Sequence, residues 1–398
     1  MLPDMDRPSS FGPHPRRVRV LTLIDFIGTH GGAEGLALSV ATRLDPARFE
    51  STLCVSRWPL SGPPSAVAGA ALEQLSASGV RLFGLRRRGK LDVWVWARLV
   101  RHLRRERIDV LHAHKFGANV WGTLLGRLAR VPVVLAHEHT WSFEGKPLRR
   151  FLDREVVARG ADRFIAVSRE DQRRMIEIEH IDPRRTLFIP NGVHSLPAPS
   201  GRDVRAELGI RPGAAVIGVV GVLRSQKAHH VLLRAAALLV ESWPEVHVLI
   251  VGDGPERASL ERLTAELGLQ DTVRFLGSRT DVPDVLCALD IAVCCSDFEG
   301  SPLAVMEYMD AALPVVATEV GGLPDLIEPG VHGLLVPPSD PAALAEALAT
   351  LLGDPHGARA MGERGRQRRR AEFDIDVLVR RLEHLYLELL AERARKHA

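Results

Sequence analysis

Short apolar runs alternate along the chain with longer segments whose apolar positions recur every three or four residues. Residues 17–24 form the first such run and end in a glycine-bearing loop at 28–32, after which 33–44 carry a helical pattern. The order is strand, phosphate-sized loop, helix. Runs at 51–55, 80–84, 109–114, 131–136, 163–167 and 186–190 repeat the strand signal. Strands alternating with helices predict a parallel sheet covered on both faces. Periodicity lapses over the Pro- and Gly-rich residues 192–201, then restarts with runs at 214–222, 246–251, 272–275, 291–295, 315–318 and 333–336 and helices such as 231–241 and 255–267. Residues 377–394 close the chain as a long amphipathic helix. The expected fold class is α/β, with two doubly wound Rossmann-like domains facing each other across a cleft and ligands at the carboxyl ends of the strands. The expected bounds are a tail at 1–16, a first domain at 17–195, a linker at 196–201, a second domain at 202–375, and a terminal helix at 376–398 packing back on the first domain.

A length of 398 residues exceeds one ordinary core, and 46% apolar with 25% charged residues is the balance of a soluble enzyme. The richest apolar stretch, 231–240, is broken by Arg234, so no membrane span is expected. The first residues carry acids and prolines and do not read as a secretory signal. Four cysteines, Cys294 and Cys295 adjacent in an apolar run, suggest small buried hydrophobes in the reducing cytoplasm. Net charge is only +3, yet residues 1–200 hold 31 Lys and Arg against 20 Asp and Glu, and the remainder 21 against 29. That asymmetry points the first half at something anionic, with a membrane surface and nucleic acid as the main candidates, the former as peripheral attachment to the inner face of the cytoplasmic membrane. Residues 92–105 read as a helix with Val93, Trp96, Leu99, Val100 and Leu103 on one side and Arg98, Arg101, Arg104 and Arg105 on the other. Its apolar side is either a membrane-facing surface or the ordinary core face of the domain. Basic clusters at 86–90 and at Arg149 and Arg150, with Trp94, add to the membrane reading. The arginine run 364–370 lacks interleaved aromatics, so no nucleic-acid partner is expected.

Candidate chemistry concentrates in residues 297–307. Ser301 followed by Pro302 is a helix-start signal, Ser as cap and Pro at the first helical position. Glu299 then sits in the loop before the helix, with Gly300 and Ser301, and Glu307 about two turns inside it. Backbone amides near Leu303 and Ala304 at the positive end of the helix suit a phosphate lying between the two acids. Arg224 and Lys227 follow the first strand of the second half and can neutralise a diphosphate without a metal. An anion flanked by two hydroxyl-binding carboxylates looks like a sugar nucleotide. Gly252-Asp-Gly254 lacks the third glycine of a dinucleotide fingerprint. Asp374-Ile-Asp376 precedes the terminal helix and reads as surface, and no Cys/His cluster has zinc spacing, so no metal site is expected.

The glutamate pair Glu299 and Glu307, continued by residues 314–322 and 330–336 and joined to 221–227, 249–256 and 189–193, resembles the retaining nucleotide-sugar glycosyltransferases of GT-B fold, family four (group 1). The resemblance covers essentially the whole chain after residue 17. It implies metal-independent sugar transfer, with retention, from a UDP- or GDP-linked donor to a lipid-linked or glycan acceptor in bacterial cell-surface glycan or glycolipid synthesis. The nucleotide-sugar is then a co-substrate, and there is no cofactor. Position by position, it gives Glu299 the hydroxyls of the transferred sugar, Glu307 the ribose, and Arg224 with Lys227 the diphosphate. Gly31 and Gly32 match the first-loop glycines, and His139 matches a cleft histidine, with His137 as the alternative register. Asp253 and Arg279 complete the candidate set. The chain departs from the family pattern at Tyr308, where a small residue is common, and at Ala228 and Ala312–Leu313, where glycine is common. A nucleotide-sugar 2-epimerase and a non-catalytic sugar-nucleotide-binding protein are the alternatives.

Overall fold

The computed structural model describes residues 16–27, 32–58, 66–87, 89, 92–139 and 146–397. The chain divides into two compact units, Met1–Gly192 with Ile375–Ala398, and Val193–Asp374. The first is built on β1 (Val18–Ile24), β2 (Phe49–Val55), β3 (Arg81–Gly84), β4 (Val110–His114), β5 (Val133–Glu138), β6 (Arg163–Ala166) and β7 (Thr186–Phe188). The second carries β8 (Val216–Val220), β9 (His247–Val251), β10 (Val273–Gly277), β11 (Ile291–Cys294), β12 (Val315–Thr318) and β13 (Gly333–Val336). Strand orders are β3-β2-β1-β4-β5-β6-β7 and β10-β9-β8-β11-β12-β13. Both reverse direction beside the first strand of the unit, between β1 and β4 and between β8 and β11, which is where doubly wound sheets bind ligands. Apart from Val220 at the end of β8, the Val, Ile and Leu of β1, β8 and β11 are almost wholly buried because helices cover both faces.

The terminal helix, Ile375–His397, buries Leu378, Leu382, Leu385 and Tyr386 with Val110, Val133, Leu135 and Ile165 of the first sheet. The division between units falls at residues 192/193 rather than after 195. The Val193 amide donates to Phe373 O at 2.9 Å and Arg369 Nη2 donates to Val193 O at 2.6 Å, fastening this segment to the second unit. Nor is 196–201 a free linker, since Ser200 Oγ and the Gly201 amide both donate to Asp284 Oδ1 at 3.1 Å. Arg16, expected in the tail, forms a two-pronged ion pair with Asp109 at 2.7 and 2.8 Å; the rest of that tail lies outside the described residues.

The helix expected at 92–105 is a 3-10 turn at Val93–Val95 followed by a helix at Trp96–Arg105. Trp96, Leu99 and Leu103 are buried against Leu111, Leu125 and Val134, and Trp96 stacks on Trp121 at 5.2 Å. This apolar side is therefore the core face, and its arginines solvate the exterior. Trp94 stays 86% exposed. Arg88 and Lys90 of the basic cluster lie outside the described residues. Among the described residues no helix is long and apolar enough to cross a membrane. Cys54, Cys294 and Cys295 are buried, whereas Cys287 is exposed on the short helix Val282–Cys287, a departure from the expectation of four buried thiols.

Two of the departures from family pattern preserve the backbone that glycine would have adopted. Ala228 and Ala312 have φ of 46° and 57°, in the left-handed region. Ala312 follows the helix Leu303–Asp310, and the amides of Ala312 and Leu313 donate to Met309 O and Tyr308 O, each at 3.0 Å, closing a Schellman turn. A left-handed alanine costs about 1–2 kcal/mol, partly offset in the glycine variant by a more flexible unfolded chain. Ala312→Gly is expected to stabilise the protein by about 0.5–1 kcal/mol in denaturant unfolding. A lower midpoint at unchanged slope would contradict this account of the turn.

Candidate active site

The site in the second unit is assembled at the carboxyl ends of β8, β9, β11 and β12. Tyr308, on the helix Leu303–Asp310, fixes the last residue of β8: its buried hydroxyl accepts from the Val220 amide at 2.7 Å and donates to Val220 O at 3.1 Å. The large side chain where the family has a small one therefore anchors the strand that launches the cationic loop. Beyond Val220 the loop runs against the turn after β9, with the Gly221 amide on Val251 O at 2.9 Å and the Leu223 amide on Asp253 O at 3.0 Å. Gly252, at φ 133°, and Gly254 let this happen, because a Cβ on either would strike Gly221 O or Leu223 O. These glycines serve loop packing, a role that short-range spacing does not reveal.

Arg224 opens a 3-10 turn, Ser225–Lys227, with its own side chain exposed and without an ion-pair partner among the described residues. The turn is tied to the loop after β11 by the Asp297 amide on Gln226 O at 2.9 Å and by Gln226 Nε2 on Phe298 O at 2.8 Å. That register brings Lys227 Nζ to 2.5 Å from Glu299 Oε1, which also accepts from Ser296 Oγ at 2.7 Å. Thr318 of β12 in turn donates to Ser296 O at 2.6 Å. Gly321, at φ 54°, lies so close to Glu299 O that a side chain there would displace the glutamate loop. Glu299 is 9% exposed. Burial opposes charge on Lys227, but the Glu299 carboxylate outweighs it and holds the ammonium above the ordinary lysine value.

The helix begins at Leu303 with Pro302 as its cap residue, which makes no side-chain cap hydrogen bond, so Ser301 stands one position before the cap. Proline pre-sets the turn but in the extended conformation, φ −72° and ψ 115°, rather than as the first helical residue. Glu307 consequently lies just over one turn inside the helix, not two. Gly300 and Ser301 are buried beneath this turn, while Leu303 and Ala304, in the first helical turn, are partly exposed. Burial, reinforced by Asp310, raises the Glu307 carboxyl above the ordinary glutamate value. Two candidates are engaged elsewhere. Arg279 gives its donors to Asp281 at 2.8 and 2.7 Å and to Glu207 at 3.0 Å. Exposed Asp253 receives the Gly254 amide at 2.7 Å and pairs with Arg257 at 3.7 Å.

In the first unit, Gly32 starts the helix Gly32–Arg43, and Gly31 lies outside the described residues. In the first turn of that helix, buried Glu34 pairs with Lys115 at 2.6 Å. Lys115 has a φ of 72° at the end of β4, a strained backbone of the sort that clusters at functional sites. Neither residue was among the candidates, although both adjoin motifs that were: Glu34 follows the paired glycines and Lys115 follows a strand. His139, just past β5, is 8% exposed and its Nε2 lies 3.0 Å from His114 Nδ1. Burial, then the neighbouring His137, His112 and Lys115, push the His139 imidazole well below the ordinary histidine value. His137, the alternative register, is fully enclosed on β5.

A lysine clamped to a buried carboxylate, an exposed arginine three residues away and a helix end opened by a proline cap suit a ligand that joins phosphates to hydroxyls, which is the class of sugar-nucleotide-using proteins. Residues 201–368 match the glycosyl transferases group 1, and residues 30–195 match glycosyltransferase family 4. A D-inositol 3-phosphate glycosyltransferase of Salinispora tropica is 31% identical over 96% of this chain and 87% of its own length. The UDP-Gal:alpha-D-GlcNAc-diphosphoundecaprenol alpha-1,3-galactosyltransferase of Escherichia coli is 28% identical over 74% of this chain and 79% of its own. The crystal structure of Anabaena HepE in complex with UDP-glucose is 25% identical, with a TM-score of 0.77 over 94% of this chain and 100% of that one. The chain belongs to glycosyltransferase family 4, group 1, and is a glycosyltransferase of GT-B fold.

Proposed function

We propose that the chain transfers a sugar from a UDP-linked donor to a hydroxyl of a lipid-linked or glycan acceptor, with retention at the anomeric carbon and without a metal. The observation that carries the reading is the Lys227–Glu299–Ser296 cluster with Arg224 beside it. Arg224 and Lys227 would hold the diphosphate, Glu299 the hydroxyls of the sugar and Glu307 the ribose. The bond from the anomeric carbon to the phosphate oxygen breaks as the acceptor oxygen bonds to the same face of that carbon, and the acceptor proton passes to the departing phosphate. Rate then comes from charge stabilisation of the leaving group and from positioning. The UDP-glucose complex of HepE and the diphosphoundecaprenol acceptor in the name of the Escherichia coli relative support the choice of donor and acceptor classes. A lipid-linked acceptor would place the enzyme at the cytoplasmic face of a membrane, with exposed Trp94 and the nearby arginines as the contact.

The test is a panel of UDP- and GDP-sugars with lipid-diphosphate and polyol acceptors, the product anomer read by NMR, with and without EDTA. Retained configuration and a rate indifferent to EDTA are expected. An inverted product would overturn retention, and loss of turnover with the chelator while the thermal midpoint is unchanged would overturn metal independence. An epimer formed from donor alone would replace the transfer reading.

A further inference from the structure

Strand pairing brings together histidines that sequence spacing keeps apart. His112 and His114 alternate on β4, and His137 stands opposite His114 in the β4–β5 register, so all three side chains lie on one face of the first sheet. Ring centroids are 4.2 Å apart for His112 and His114, 5.0 Å for His114 and His137, and 5.3 Å for His112 and His137. All three residues are buried, at 0–1% exposure. One ring nitrogen from each lies within 4.8 Å of those of the other two.

We propose that His112, His114 and His137 form a binding site for a divalent transition metal of the zinc class. The hydrogen bonding of His112 and His114 sorts their nitrogens as metal ligation requires, one held by an outer partner and one left for the ion. His112 Nδ1 is 2.7 Å from Tyr386 Oη and His114 Nδ1 is 3.0 Å from His139 Nε2, while Nε2 of both, and both nitrogens of His137, have no protein hydrogen-bond partner. Ligating histidines use one nitrogen for the metal and give the other to an outer partner that fixes the ring. Four buried ring nitrogens without a protein partner are costly unless an ion or another group binds them. An all-imidazole set selects zinc, copper or nickel over magnesium or calcium. Zinc–nitrogen bonds of about 2.0–2.1 Å put two ligands on one ion at most about 4.2 Å apart. Closing the site therefore requires the rings, of which His112 and His137 are stacked at 5°, to turn until their nitrogens converge on the ion. His139, at the strand end, is the most exposed of the four histidines. The bound ion would staple β4 to β5 beneath Lys115 and His139. It is separate from the diphosphate chemistry, and the assignment stands whether or not the transfer reading does.

The experiment uses the full chain, stripped with a chelator, dialysed and titrated with Zn2+ by calorimetry and with Co2+ by visible absorption. One ion per chain, a thermal midpoint raised by Zn2+, and intense cobalt bands typical of four- or five-coordinate nitrogen ligation are expected. His112→Gln and His137→Gln should each weaken Zn2+ binding more than tenfold. Should either variant fail to fold, Tyr386→Phe keeps every ligand and should weaken binding by on the order of tenfold through the lost outer partner. Absence of stoichiometric binding, or binding unchanged in these variants, overturns the site and leaves the histidines as stacked core residues or ligands of buried water.

Discussion

Arg224→Ala is expected to lower kcat by on the order of a hundredfold while leaving the thermal midpoint within about 2 °C of the wild type. The two halves of that statement have separate causes. Arg224 is exposed, caps nothing with its side chain and pairs with no acid among the described residues, so the folded protein loses little without it. On the proposed role, its guanidinium meets charge that grows on the diphosphate as the sugar departs, and a loss confined to the transition state appears in kcat. Lys227→Ala should slow turnover at least as much, but it also strands the buried Glu299 carboxylate with Ser296 alone. Removing one member of a buried pair is destabilising. A fall in both rate and midpoint at Lys227 beside a fall in rate alone at Arg224 is the expected pattern. Wild-type kcat in Arg224→Ala would remove the arginine from the phosphate clamp whatever Lys227 does.

Most of the architecture was legible because its signals are local. Strands read as short apolar runs rich in Val, Ile and Leu, and each run predicted is a strand, with ends shifted by a few residues. What failed depends on residues far apart in the chain. The arginine-edged helix looked the same whether its apolar side met lipid or Trp121, and only tertiary packing decides that. Ser301-Pro302 carried a valid cap signal, yet proline took the cap position itself and moved Glu307 toward the helix start. Gly252, Gly254 and Gly321 matter because distant backbone approaches them, which no short-range spacing encodes. Ala228 and Ala312 looked like broken turn signals, and the turns formed with alanine in the left-handed conformation. The charged positions were readable as chemistry. Their union at Glu299 Oε1 was not, because it needs the register of two loops after different strands.

Glu299 and Glu307 are expected to part company when each is changed to glutamine. Glu299 lies within the Lys227–Ser296 network, and the amide keeps its shape while losing the charge that holds the lysine. Lys227 is then released rather than removed, so free nucleoside diphosphate should bind at least as well as before. Turnover should fall by tenfold or more, because the hydroxyl contacts assigned to Glu299 belong to the sugar as it becomes cationic. Glu307→Gln should do the reverse. A hydrogen bond to a charged group contributes about 1.5–3 kcal/mol, so loss of the ribose contact should weaken UDP and UDP-sugar alike by on the order of tenfold or more, with kcat at saturation little changed. Its pH dependence supplies a second readout. Burial raises the Glu307 carboxyl above the ordinary glutamate value, and ribose hydroxyls donate to the ionised form. Wild-type nucleotide affinity should therefore hold at neutral pH and decline on acidification, beginning above the pH at which an ordinary glutamate protonates. The Glu307→Gln variant should lack that decline. Calorimetric titration of UDP across the acid range measures both effects, and an unchanged affinity with an unchanged acid limb would take the ribose away from Glu307.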